Sequence, residues 1–180
     1  MDWLPMKQLR TRQTSRMLVT TAVLAVIVLI VACGNSAQIA RDFDVIQFSG
    51  ERFQLSEETK GNVVVVNFWY PSCPPCREEM PAIEAAWQEL KNDPVRILGL
   101  YVPQGFDSEQ DAQAFVEELG LTFNFGTDRL ARIAKAYELE FFPTTFFIDM
   151  EGEVVATHIS ILEKEEVVRQ VRALIGVPTS

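Results

Sequence analysis

The pattern of apolar positions divides the chain into a head and a body. Residues 17–32, MLVTTAVLAVIVLIVA, are the one long apolar run, and the four bases before position 34 (Lys7, Arg10, Arg12, Arg16) all precede it. A basic stretch followed by an apolar one reads as an export signal. Bases stay in the cytoplasm, so the chain beyond residue 33 is expected outside it. Residues 34–42, GNSAQIARD, are polar and small and read as a linker.

Within the body the period changes repeatedly. Residues 43–48 and 52–55 alternate around Ser49-Gly50, which predicts a hairpin. Residues 63–69, VVVVNFW, are continuous and β-branched and predict a strand buried on both faces. From Cys76 to about Lys91 the spacing of Met80, Ile83, Ala86, Trp87 and Leu90 is helical, and Asn92-Asp93-Pro94 ends it. Residues 95–102 predict a strand. Residues 108–119 predict a helix between a Ser108 cap and a Gly120 stop. A short strand over 121–125 and a helix from an Asp128 cap to Tyr137 follow. Residues 144–148 and 153–158 predict two strands joined by a turn, and 163–175 a closing amphipathic helix. Such alternation implies an α/β fold, a central mixed sheet flanked by helices, with the hairpin as an N-terminal extension. One domain is expected over residues 43–176, with no internal repeat.

Composition removes whole classes of function. The 180 residues carry 16 bases, 25 acids, one histidine and three cysteines. With the head set aside, 12 bases face 24 acids, so nucleic acid is not an expected partner. One histidine disfavours imidazole-built metal sites, and three cysteines are too few for a disulfide-stapled scaffold. No metal and no cofactor is expected. His158 reads as a strand-surface residue, Trp69 and Trp87 as core, and Glu163, Glu165 and Glu166 as complements to a helix start.

The candidate chemistry lies at Cys73-Pro74-Pro75-Cys76, where the buried strand gives way to the helix. A C-x-x-C at such a junction is a dithiol–disulfide motif. The helix N-terminus offers unpaired N–H groups and a positive dipole end, which stabilise a thiolate. Cys73, just outside the helix, is expected to present an exposed nucleophilic sulfur. Cys76, a turn inside, is expected to be more buried and to resolve the mixed disulfide. Two other readings stand beside this one. A peroxiredoxin-like peroxidase wants threonine or serine three residues before its cysteine, and position 70 is tyrosine. A non-enzymatic copper carrier wants a further His or Met ligand, and Met80 is the local candidate.

The motifs Asn67-Phe68-Trp69, Cys73-Pro74-Pro75-Cys76, Arg77-Glu78-Glu79-Met80-Pro81 and residues 142–149, FPTTFFID, together resemble the thioredoxin fold. The branch they resemble is the TlpA/ResA-like family of membrane-anchored, extracytoplasmic thiol–disulfide oxidoreductases, over about residues 40–176. The resemblance implies reduction of disulfide-bearing protein substrates, electrons from a membrane thiol donor, and in several members service to cytochrome c maturation. It makes Cys73 the attacking and Cys76 the resolving cysteine, and Pro143 the cis-proline facing them. It matches Glu79 to an acidic residue of the branch; three positions after Cys76 and on the same helix face, Glu79 either handles the resolving thiol's proton or is a surface glutamate beside Glu78. Asn67 stands where cytoplasmic thioredoxins have a buried aspartate. Two positions depart from the family: Ser72 replaces a tryptophan and Phe141 a glycine. With Phe142, Phe141 either binds an apolar partner segment or joins the core.

Ile30-Val31-Ala32-Cys33 in turn resembles the lipobox of bacterial lipoproteins, which implies that Cys33 carries lipid and starts the mature chain. The alternative is an uncleaved anchor. Sixteen apolar residues reach about 24 Å, short of the ~30 Å hydrocarbon core, unless the flanks contribute. In both cases the body is tethered at the extracytoplasmic face of the bacterial membrane.

Overall fold

A computed structural model of the chain describes residues 38–176. The expected anchor segment 1–33, the Cys33 lipidation site and linker residues 34–37 lie outside the described residues.

Among the described residues eight strands follow in chain order: β1 (Gln38–Ile39), β2 (Asp44–Ile46), β3 (Arg52–Gln54), β4 (Val63–Trp69), β5 (Val95–Tyr101), β6 (Asn124–Thr127), β7 (Thr144–Ile148) and β8 (Glu153–Ile159). The helices are α1 (Leu55–Glu58), α2 (Pro74–Leu90), α3 (Glu109–Glu118), α4 (Arg132–Ala136) and α5 (Lys164–Leu174). Six strands form one sheet in the order β1-β8-β7-β4-β5-β6. β4, β5 and β6 are parallel, whereas β7, β8 and β1 join antiparallel. This is the mixed α/β thioredoxin-like sheet expected. β2 and β3 make the separate N-terminal hairpin, tied to β6 by the Phe48 N–H donating to the Phe125 carbonyl at 2.8 Å.

β4 runs through the middle, and all seven of its residues are buried, as its unbroken apolar run requires. Its alternate side chains feed two cores. Val63, Val65 and Trp69 meet Met80, Ile83 and Leu90 of α2 and Val167 and Val171 of α5. Val64, Val66 and Phe68 meet Leu98, Leu100, Phe53 and Tyr137 on the other face. Gly99 is required by packing: a Cβ there would lie 2.4 Å from the Phe125 ring. Gly120, at φ +63°, ends the turn after α3.

Three elements differ from expectation. Gln38 and Ile39, read as linker, pair with Val154 and Glu153 as an edge strand. The strand expected over 121–125 begins three residues later, at Asn124. Leu121 and Phe123 are buried in the core before it, and the Thr122 N–H is taken by Glu84 at 2.7 Å rather than by the sheet. The helix expected directly after Asp128 is broken: Leu130 and Ala131 take left-handed φ of 63° and 51°. The Asp128 carboxylate instead accepts from the N–H groups of Ile133 (3.0 Å) and Ala134 (2.8 Å), so it caps α4 from before the kink.

Candidate active site

The parallel strands β4, β5 and β6 end on the same side of the sheet, and antiparallel β7 begins there. Ligand sites of open α/β sheets form at this edge because the loops diverge from it. Cys73 follows β4 and is the N-cap of α2, with Pro74 and Pro75 in the first turn. Proline there loses no helix hydrogen bond and presets φ. The two cysteines form a disulfide with Cα atoms 5.3 Å apart, and the Cys73 sulfur accepts the Cys76 N–H at 3.2 Å. That N–H is a donor the helix cannot itself satisfy, and it would hold a thiolate on Cys73 after reduction.

The expected exposure of Cys73 needs correction. It is 2% exposed and Cys76 is fully buried. In the disulfide the Cys73 sulfur is bonded to the buried cysteine, and Tyr70 and Phe142, edge-to-face at 5.1 Å, pack against the same cluster. Pro143 is buried, and the Phe142–Pro143 bond is cis. The two candidate aromatics thus separate: Phe142 joins the packing, while Phe141 stays 59% exposed.

Beneath the disulfide lies a buried polar network. Glu79 is fully buried. Its carboxylate accepts from the Asn67 amide at 2.7 Å and from the Leu162 backbone N–H, in the loop before α5, at 3.0 Å. Asn67 also donates to the Thr145 hydroxyl at 2.9 Å, across the β4–β7 register that pairs the two residues. Its own carbonyl oxygen is buried without a partner. Burial drives the Glu79 pKa up to about 7, against the two hydrogen bonds, which lower it. The sequence suggested Glu79, but not Thr145 or the Leu162 amide. The available signal was a pair of threonines after Pro143 in a strand otherwise apolar.

Ser72, in the place of the family's tryptophan, has a different task. Its N–H and hydroxyl both donate to Asp107, at 3.0 and 2.7 Å, so the loop after β5 is tied to the residue before Cys73. Tyr101 donates to the Asp107 carbonyl at 2.7 Å and fixes the same loop. His158 is half-buried on β8, 3.1 Å from the Ile161 carbonyl. Trp69 is core, and Trp87 is partly buried against it.

A carboxyl whose pKa is higher folded than unfolded binds more protons when folded. Its stabilisation is therefore complete below the unfolded value near 4.5 and is lost as pH rises through about 7. We expect the Tm of the oxidised chain to fall between about pH 5 and pH 8, through a loss on the order of 3 kcal/mol. Glu79→Gln should flatten that fall. Thermal unfolding of both proteins across this range checks it; parallel curves would mean that Glu79 titrates normally.

Residues 37–157 match the AhpC/TSA family. The thioredoxin-like protein YneN of Bacillus subtilis (strain 168) is 33% identical over 132 residues, 73% of this chain and 76% of that one. The thiol-disulfide oxidoreductase ResA of Geobacillus kaustophilus (strain HTA426) is 33% identical over 144 residues, 80% of this chain and 79% of that one. The crystal structure of a Chlorobium tepidum protein of the DsbE thiol:disulfide interchange class matches with a TM-score of 0.71 at 25% identity, over 79% of this chain and 99% of that chain.

Proposed function

Since the chain belongs to the AhpC/TSA family of thioredoxin-like proteins and is a thiol–disulfide oxidoreductase, we propose that it reduces protein disulfides outside the cytoplasm through Cys73 and Cys76. The observation that carries this reading is the placement of the pair: one sulfur caps a helix, and the other is buried in the helix's first turn.

Reduced Cys73, as thiolate, attacks one sulfur of the partner's disulfide. The partner's S–S bond breaks, a mixed disulfide forms, and the released thiolate takes a proton from solvent. Cys76 then gives its proton to the Glu79 carboxylate and attacks the Cys73 sulfur. The Cys73–Cys76 bond forms, and the partner's second thiolate leaves. Two electrons pass to the partner. The Cys76 thiol needs a base because burial disfavours its ionisation, and Glu79, poised near 7, can both take and return a proton. Asn67 holds one carboxylate oxygen and the Leu162 N–H the other. Pro143, which has no N–H, leaves the edge beside the sulfurs without a competing donor.

The same reading places the domain at the outer face of the membrane, tethered by residues 1–33 and re-reduced by a membrane thiol donor. Service to cytochrome c maturation is the finer form of it and is supported by the family resemblance. Mixing the reduced full-length chain with a disulfide-bonded protein tests the core of the reading. One partner disulfide should disappear for each Cys73–Cys76 bond formed, whereas an unchanged thiol count would overturn it. For the tether, we expect the intact mass of membrane-extracted protein to begin at an acylated Cys33; a species retaining Met1 without acyl mass would establish the uncleaved anchor.

A further inference from the structure

Two large apolar side chains stand fully in solvent at the disulfide edge of the sheet. Among the described residues, Phe106 (105% exposed) and Leu130 (87%) are the most exposed large hydrophobics. Scattered apolar residues on a surface are ordinary; the position of these two is not. Phe106 is on the loop after β5, the loop that Asp107 ties to Ser72 beside Cys73. Leu130 is in the kinked 3-10 turn Arg129–Ala131 after β6. Phe141, 59% exposed, precedes β7. In the order β7-β4-β5-β6 these loops lie on both sides of Cys73, which follows β4.

Leu130 is held out at a cost. It and Ala131 occupy left-handed backbone consecutively, at φ/ψ of 63°/21° and 51°/35°, a region that only glycine visits freely. The Asp128 cap on α4 over-determines this kink from below. Strain that keeps an apolar side chain in water points to a use for it. A cleft of about 510 Å³ runs alongside, with Pro103, Asp107, Thr127 and Leu130 in its walls. The Thr127 hydroxyl there is buried without a partner.

Resting on the function proposed above, we propose that Phe106 and Leu130 determine substrate specificity. They receive apolar side chains that flank the cysteine of an extended polypeptide, while Phe141 supports the other side. Asp107 links this surface to the disulfide and selects this occupant: it follows Phe106, accepts from Ser72 beside Cys73, and lines the cleft that Leu130 also lines. The dimensions agree. Three steps between neighbouring strands, from β7 to β6, cover about 14 Å, which about five extended residues span. Cys73 is only 2% exposed, so a disulfide recessed in a folded partner does not reach it. The recognised substrate is therefore an unfolded or extended segment with a large apolar residue two to four positions from its cysteine.

The test uses the reduced full-length chain and three oxidants: a cysteine peptide disulfide-linked to glutathione with leucines near the cysteine, the same peptide with serines there, and 2-hydroxyethyl disulfide. Second-order oxidation rates are measured for the unmodified chain, Phe106→Ser, Leu130→Ser and the double variant. The unmodified chain should prefer the leucine peptide by about tenfold, a fraction of what full burial of two such side chains would give. The double variant should lose that preference to within about twofold, with the rate toward 2-hydroxyethyl disulfide unchanged, so a folding defect would be visible. A preference that survives in the double variant, or is absent from the unmodified chain, overturns the proposal. If the unmodified chain is oxidised by none of the three, the oxidoreductase reading fails instead.

Discussion

Cys76→Ser should accumulate a mixed disulfide between Cys73 and the partner that does not resolve, and Cys73→Ser should accumulate none. Removing Cys73 takes away the thiolate that the helix end is placed to hold, and a hydroxyl does not replace it. Exchange with a disulfide-bonded protein should fall by about a thousandfold or more. Removing Cys76 leaves the first attack intact, because the Cys73 sulfur is capped by the Cys76 backbone N–H, which serine retains. Non-reducing gels and peptide mass spectrometry after acid quenching identify the trapped species. Trapping through Cys76 in the Cys73→Ser variant would reverse the two roles.

Glu79→Gln should slow the second step by about a hundredfold while leaving the first within a few-fold, the range general-base catalysis supplies. Glutamine keeps the shape but cannot take a proton. The pH profile provides the sharper sign. Resolution in the unmodified chain should quicken as pH rises through about 7, where Glu79 loses its proton, and the variant should lack that inflection. Asn67→Ala removes a hydrogen bond that lowers the Glu79 pKa, so the inflection should move to higher pH. Glu78→Gln is the control, since Glu78 is exposed on the neighbouring helix position. Stopped-flow exchange resolves the two steps. Equal small effects of the Glu78 and Glu79 variants would make Glu79 a structural residue only.

Local pattern was enough for much of this molecule. The run Val63–Trp69 could only be a strand covered on both faces, and the C-x-x-C at its end could only meet a helix start. Ser108 caps α3 as expected, and the structure adds the reciprocal bond from the Ser108 N–H to Asp111. What escaped the sequence depends on tertiary contact. The pairing of β1 with β8 joins residues more than 100 positions apart, and two residues of polar linker carry no periodic signal. The break at Leu130 is imposed by Asp128 reaching past its own turn. The resemblance and the spacing from Cys76 single out Glu79, but only the strand–helix contact shows that it is buried against Asn67. The packing of Tyr70 against Phe142 beside the disulfide cluster likewise joins residues 72 positions apart.

The central claim is that this pair donates electrons rather than withdraws them. A strong oxidant stabilises its reduced form as a thiolate. Here the helix end favours the Cys73 thiolate, but Cys76 is buried in an apolar cluster, with the Glu79 carboxylate one helical turn further on. Both surroundings disfavour charge on the second sulfur. Equilibrating Cys73 and Cys76 of the full-length chain against mixtures of reduced and oxidised glutathione measures the balance directly. We expect a reduction potential below about −200 mV, on the reducing side of protein disulfide isomerase. A value near about −120 mV, that of a dedicated disulfide donor, would contradict the reductase assignment.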